Sequence, residues 1–302
     1  MKNSMFRKVI CLFLALAMLV GVLPAVFAAE EKAVVAPSGL YVISQTDYVI
    51  TAGVTETQVL LNDASGEQQV AGFMTTVAPG AKVTFKASYT GYYTEGSTVG
   101  SRAEAAENLT WGMARTTDQA KAYEAATGDK VIFATNGDYY NMQTLQPLGY
   151  LIMEGNVVQT GNGNAQEPYF AVLRDGSYAI RDYGTDHSDV LEAISGPFYL
   201  VKDGVNVADP NNKDQMPRNS IGMKADGSVV TFLADGRQAP YSVGMSLYDQ
   251  AELLLQNGCV DALYLDGGGS ATYATVREGT EEMVVRNSPS DGPERTVASA
   301  LL

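Results

Sequence analysis

An α+β fold, with a mixed β-sheet core, a few covering helices and a preceding β-rich N-terminal section, is what this sequence predicts. Three observations carry the prediction. Short β-type runs broken by turn formers fill residues 39–99. Two later units each pass from a helical pattern through an apolar strand into a loop rich in Gly, Asp and Asn, and hairpin signals lie between them.

The chain opens with Lys2, Arg7 and Lys8, an apolar stretch over residues 9–22, and the small-residue sequence Val26-Phe27-Ala28-Ala29. That order reads as a secretory signal peptide, residues 1–28, cut after Ala28. The apolar stretch is short for a membrane span, so no stable membrane insertion is expected after its removal, and a secreted or cell-surface location follows. Residues 29–38 are polar and small, as in a linker. In the β-rich section, residues 39–105, Gln58-Val59-Leu60-Leu61 and Lys82-Val83-Thr84-Phe85 read as strands, and Asn62-Asp63, Ser65-Gly66 and Pro79-Gly80 as turns. Whether this section stands apart or joins the main sheet is not legible.

The main domain is set at residues 106–302. Its first unit is a helix over 117–126, with Thr116-Thr117-Asp118 as N-cap candidates and Gly128 as the stop. A buried strand over 130–134 follows and leads into Asn136-Gly137-Asp138-Tyr139-Tyr140-Asn141. The second unit is a helix over 246–256, apolar at Leu247, Ala251, Leu254 and Leu255 and stopped by Asn257-Gly258. It feeds a strand over 261–265 that runs into Asp266-Gly267-Gly268-Gly269-Ser270. Between the units, Asp175-Gly176 and Asp226-Gly227 read as hairpin turns beside strands in 170–180 and 228–233. The final run, Thr296-Val297-Ala298-Ser299-Ala300-Leu301-Leu302, is apolar enough for a buried strand.

Of the two cysteines, Cys11 lies in the signal, so Cys259 has no intrachain partner and stability must come from a buried core. The formal charge of −14 becomes −17 without the three cations of residues 1–28. Such a surface argues against nucleic acid and anionic membranes as partners. An anionic substrate stays compatible with it where arginines gather locally.

The loops supply those arginines and the carboxylates to go with them. Three glycines after Asp266 let a backbone approach a ligand closely and turn its amides toward an anion; a tight turn capped by Asp266 is the competing reading. A dinucleotide site would need a helix next, and residues 271–276 are strand-like instead. Asp235-Gly236-Arg237 follows the strand at 229–233 and is joined through Ser242-Val243-Gly244-Met245-Ser246 to the helix that feeds Asp266. Two carboxylates delivered by consecutive strand ends can face one pocket. Asn136, Gly137 and Asp138 can bind sugar hydroxyls or simply stabilise a turn. Arg218 and Arg295 sit in Gly/Pro-rich loops, where guanidinium groups bind phosphate or form salt bridges.

Counting weakens other chemistries. His187 is the single histidine and lies in the polar turn Asp186-His187-Ser188-Asp189, poor material for a His-based triad. One histidine and one cysteine beyond the signal argue against zinc. Asp209-Pro210-Asn211-Asn212-Lys213 places Lys213 where an EF-hand needs an oxygen ligand. No cofactor is expected, and a structural calcium ion on scattered carboxylates is left open.

Taken in order, Asn136-Gly137-Asp138-Tyr139-Tyr140, Ser195-Gly196-Pro197, Pro217-Arg218-Asn219-Ser220-Ile221-Gly222, Asp235-Gly236-Arg237, Leu265-Asp266-Gly267-Gly268-Gly269-Ser270 and Arg295-Thr296-Val297 resemble the phosphodiester glycosidase family, from about Trp111 to the chain end. Asp138-Tyr139-Tyr140 departs from the Gly-aromatic-aromatic run of many relatives. The resemblance implies hydrolysis of a sugar-1-phosphodiester at the anomeric carbon, giving free sugar and a phosphomonoester. It implies that the loops around Asn136, Arg218, Asp235, Asp266 and Arg295 line the site; within them Asp235 and Asp266 are expected as the catalytic carboxylates, with Asn136, Gly137, Asp138, Arg218, Arg237, Gly267, Gly268, Gly269, Ser270 and Arg295 binding substrate. The expected partner is a sugar-phosphate, such as a cell-wall polymer or oligosaccharide. A non-catalytic cell-surface glycan-binding module, or a metal-dependent phosphodiesterase cleaving P–O, are the alternatives.

Overall fold

The computed structural model describes residues 33–107, 109–161 and 166–302. The segment read as a signal peptide, residues 1–28, and residues 29–32 of the stretch read as a linker lie outside the described residues. Residues 34–302 form one compact unit.

An eight-stranded sheet is its backbone, with the spatial order Leu40–Thr51, Val54–Asp63, Val70–Val77, Val229–Ala234, Arg218–Lys224, Cys259–Leu265, Tyr199–Lys202 and Val205–Asn206. The N-terminal strands are woven into it. Val70–Val77 pairs with Val229–Ala234 in continuous register from Val77 opposite Val229 to Gly72 opposite Ala234. Every residue of Val229–Ala234 is buried, which explains its unbroken apolar sequence: a strand covered on both faces has no polar side to alternate with.

One face of this sheet carries Val59, Met74, Val230, Phe232, Ala262 and Tyr264 and is covered by the helix α3, Leu247–Gln256, through Ala251, Leu253 and Leu254. The other face carries Phe73, Leu233, Ile221, Leu263 and Leu265 and packs on Phe85, Phe133, Phe170 and Tyr273. Phe85 lies just before strand Ala87–Tyr89, and the other three rings come from two five-stranded sheets. One runs Tyr178–Arg181, Tyr169–Leu173, Val190–Ser195, Tyr150–Met153, Asn156–Thr160, and the other Val284–Val285, Tyr273–Thr275, Phe133–Asn136, Ser299–Leu301, Ala87–Tyr89.

The β-rich core with few helices agrees with expectation. Among the described residues, however, every strand pair is antiparallel rather than mixed. The reason is visible at α3. It carries the chain from Val229–Ala234 to Cys259–Leu265, which point the same way, but Arg218–Lys224 lies between them and pairs with both. A parallel contact never forms.

Local signals account for the helices. Ser246 caps α3 by accepting from the Asp249 amide at 3.1 Å, and Asn257 and Gly258 end it. The helix α2, Thr116–Thr127, stops at Gly128 with φ 79°. Its N-terminal amide and hydroxyl at Thr117 are instead satisfied by the Glu294 carboxylate, a cap too distant in sequence to foresee. The strand after it begins at Phe133, later than residue 130. The short helix α1, Val99–Ala106, falls in the section read as β-type; its Thr98/Ser101 capping box was the available signal. No helix among the described residues is long and apolar enough to cross a membrane.

Phe232 is fully buried between the eight-stranded sheet and α3. Phe232→Ala is expected to cost about 3–5 kcal/mol of unfolding free energy, measurable by urea denaturation as a lower midpoint with an unchanged slope.

Candidate active site

The antiparallel order gathers the site at one end of the eight-stranded sheet. Ala234 and Leu265 both end their strands there, Arg218 begins the strand between them, and Ala234 sits directly opposite Arg218. Asp235 and Asp266 therefore leave strand ends two positions apart, about 10 Å across the sheet. Alternation along a strand sends them different ways: Asp266 follows Tyr264 toward the α3 face, and Asp235 follows Leu233 toward the other.

Asp266 is 7% exposed. Burial raises its carboxyl from the ordinary 3.8 to about 6, against the pull of the Ser270 hydroxyl, the Arg295 charge and the Gly267 amide. The glycines after it are required by crowding. A Cβ on residue 267 would lie 2.3 Å from the Tyr264 hydroxyl and 2.6 Å from the Pro217 carbonyl, and one on residue 269 would strike the Asp291 carboxylate. The Gly268 amide is engaged by the Pro217 carbonyl at 2.9 Å, so this amide serves the turn rather than an incoming anion.

Positive charge reaches the loop from side chains. Arg237, exposed and at φ 61°, brings its guanidinium within 3.4 Å of where a Cβ on residue 268 would sit. Arg295 is ion-paired with Asp291, which borders Gly269, and its charge is felt at Asp266. Arg218, 8% exposed, is committed elsewhere. It donates to the Met245 carbonyl at 3.0 Å, the Tyr264 hydroxyl at 3.2 Å and the Asp214 carbonyl at 2.7 Å.

A second carboxyl group answers Asp266, and it is Asp138. Asp138 is 2% exposed and accepts from the Gly149 amide at 2.8 Å. Its carboxyl is held well above the usual range by burial first and by the neighbouring Glu167, with Asp266 contributing in the same direction. Glu167 is raised too, chiefly by burial, while its hydrogen bond with Asp138 pulls the other way. Glu167 Oε2 lies 2.8 Å from where a Cβ on residue 149 would be, so the two acids bracket Gly149. With Asp138 Oδ1 and Glu167 Oε2 both buried and without another hydrogen-bond partner, ionisation of both acids together is disfavoured, because two adjacent negative charges in so dry a place repel strongly. Glu167 was missed in the sequence. Its one signal, an acid in front of the apolar run Pro168-Tyr169-Phe170-Ala171-Val172, is too common to be informative.

Asp235 is 1% exposed and fully engaged. It accepts from Asn287 Nδ2 at 2.9 Å, the Tyr241 hydroxyl at 2.9 Å and the Ser288 amide at 2.7 Å. Burial raises its carboxyl, and those three donors oppose the rise. It shares no hydrogen-bond partner with Asp266, whereas Asp138 lies close enough to Asp266 to feel its charge. Asn136 and Gly137 are likewise occupied. Asn136 Nδ2 donates to the Asp266 carbonyl at 2.6 Å, and its Oδ1 accepts from the Thr272 amide and from Asn219 Nδ2. Gly137 donates to the Ser299 carbonyl and accepts from the Asp266 amide. These residues build the site without facing a ligand.

Among the described residues no group of three or more His, Cys, Asp or Glu is arranged to hold a metal ion. A cavity of about 530 Å³, bordered by Val54, Thr75, Phe85, Val131 and Leu302, opens at the far end of strand Phe133–Asn136 and contains none of the expected site residues. The carboxyl and arginine chemistry, rather than cavity size, marks the site.

Residues 129–302 match the family model described as phosphodiester glycosidase. The chain is 29% identical over 162 residues to the Mus musculus N-acetylglucosamine-1-phosphodiester alpha-N-acetylglucosaminidase, covering 46% of this chain and 31% of that protein. It is 28% identical over 177 residues to the Homo sapiens protein of the same name, covering 51% and 34%. The chain thus spans about a third of the length of these curated relatives. Its fold is similar to the solved catalytic domain of the zebrafish protein, auto-inhibited by its pro-peptide, with a TM-score of 0.61 and 22% identity over 85% of this chain and 86% of that one.

A carboxyl whose folded-state value lies above its unfolded one binds its proton more tightly when folded. The stability it contributes is therefore present at low pH and lost as pH rises from about 4 to about 6. Asp266→Asn is expected to raise the unfolding free energy at pH 7 by up to about 3 kcal/mol, a gain that disappears below about pH 4; thermal melts of both proteins across this range check it.

Proposed function

The chain belongs to the phosphodiester glycosidase family, and from that premise we propose that it is an exported hydrolase cleaving a sugar-1-phosphodiester at the anomeric C–O bond. The observation that carries this reading is the buried Asp266 carboxyl, which is felt at Asp138, feels the Arg295 charge, and starts the glycine turn that Arg237 approaches at Gly268.

Breaking an acetal C–O bond builds positive charge on the anomeric carbon, which an ionised carboxylate in a dry site stabilises strongly. Asp266 takes that role. The bond's electron pair leaves with the phosphate oxygen, giving a phosphomonoester that is a weak base and needs little protonation. Arg237 and Arg295 hold the departing charge. Water supplies the new C–O bond and gives up a proton to a carboxylate of the site, so that free sugar and phosphomonoester are formed. Asp138 and Glu167, which are disfavoured from ionising together, offer both a donor and an acceptor for sugar hydroxyls beside Asp266. Asp235, bound on both oxygens, fixes the turn that carries Arg237, and Arg218 fixes Tyr264. The signal-like N-terminus and acidic surface support a substrate outside the cell, such as a sugar-phosphate polymer of the cell wall.

Asp266→Asn is expected to lower kcat on a sugar-1-phosphodiester by about a thousandfold or more while the protein stays folded; near-normal turnover would remove Asp266 from the chemistry. In ¹⁸O water the label should enter the sugar and not the phosphate, and label in the phosphate would mean P–O cleavage instead. Because ionised Asp266 is the working form, kcat/KM should climb with pH through about 6 and level off above it.

A further inference from the structure

At the site end of the eight-stranded sheet, the strands lie in the order Val229–Ala234, Arg218–Lys224, Cys259–Leu265, Tyr199–Lys202. Arg237 follows the first, Asp266 ends the third, and Phe198 precedes the fourth, all at the same end because Tyr199 pairs with Leu263. With strands about 4.8 Å apart, Phe198 stands about one strand to one side of Asp266, and Arg237 about two strands to the other.

Phe198 is large, apolar and 39% exposed. Its ring lies nearly parallel to that of Tyr264, with centroids 5.2 Å apart and planes at 13°. The Tyr264 amide donates to the Phe198 carbonyl at 3.1 Å, and the Tyr264 hydroxyl accepts from Arg218. Tyr139, which feels the charge of Asp266, packs on the same Tyr264 ring at 6.1 Å. Phe198 is thus an anchored ring whose stack uses one face, and binding to the other orders little that is not already fixed.

The direction of the substrate follows from these positions. With the anomeric carbon at Asp266 and the phosphate toward Arg237, the sugar ring extends the opposite way along the sheet edge, toward Phe198. We propose that Phe198 is the platform on which the pyranose ring of the cleaved sugar stacks, the apolar C–H face of the sugar lying on the free face of the phenyl ring. The platform makes Phe198 a determinant of sugar preference, since pyranoses differ in how many axial hydroxyls interrupt that face. This inference rests on Asp266 as the reacting carboxylate.

The test compares wild type, Phe198→Ala and Phe198→Trp on the methyl phosphodiesters of glucose 1-phosphate and N-acetylglucosamine 1-phosphate. Phe198→Ala should raise KM about tenfold or more and leave kcat within about threefold. Phe198→Trp should keep KM near wild type and shift the ratio between the two sugars. An unchanged KM in Phe198→Ala overturns the platform. Saturation-transfer NMR with the free sugars separates this from the hydrolytic reading. If wild type hydrolyses neither substrate, that reading fails, and transfer to the sugar ring protons that is lost in Phe198→Ala still supports the platform. No transfer in wild type overturns it.

Discussion

The Asn136 side chain is the constraint on which the site depends. One amide group at the end of strand Phe133–Asn136 donates to the Asp266 carbonyl and accepts from the Thr272 amide and from Asn219. Those partners belong to the loop before the glycines, the segment after them, and the strand that begins with Arg218. A single fully buried side chain therefore locks a five-stranded sheet to the eight-stranded one and fixes both ends of the glycine turn. Buried amides of this kind hold their geometry because leaving any of those backbone groups unpartnered is costly. With the backbone fixed on both sides, Asp266 has little freedom except in its own side-chain torsions.

That rigidity is what allows acids to be held so far from their ordinary behaviour. Asp138, Glu167 and Asp266 are all raised primarily by burial. A flexible loop would relieve such a cost by swinging the carboxyls into water. Here the Asp138 oxygen is pinned by the Gly149 amide and Asp266 by Gly267 and Ser270, so the desolvation persists. The same dryness strengthens the attraction between a carboxylate and a developing positive charge. Stability is surrendered where electrostatic strength is gained, and the surrounding β-core supplies the reserve.

Much of this was legible in the sequence, and the limits have physical causes. Strand-to-loop transitions at Asp235 and Asp266, the α3 stop at Asn257-Gly258, and the two Asp-Gly hairpins are local, and residue type states them directly. The roles of Asn136 and Arg218 were not. Both residue types suggest ligand contact, yet each is consumed by backbone carbonyls more than twenty residues away or by a neighbouring strand. Polarity in a loop does not reveal whether the partner is a substrate or the protein. Asp138 was found through its loop, but its companion Glu167 required knowing that the residues around 149 and 167 converge. The expected pairing of Asp235 with Asp266 took no account of parity: consecutive strand ends share an edge of the sheet, but alternation decides which face each side chain takes.

Parity also explains why an antiparallel sheet suits this arrangement. Cys259–Leu265 ends by directing Tyr264 and Asp266 to one face, and Arg218, entering from the opposite direction next door, directs its guanidinium to that face as well. Phe198 then covers Tyr264 from the other side. Arg237, Asp266 and Phe198 follow or precede the strands at this same end, and so fall in a line across the sheet at a spacing set by backbone hydrogen bonds rather than by loop conformation. Loops can vary the groups displayed at each point of that line, but the distance between the charged end and the apolar end is fixed by the number of strands separating them. A phosphate joined to a pyranose has the same polarity, charge at one end and C–H surface at the other, with the bond to be broken between them.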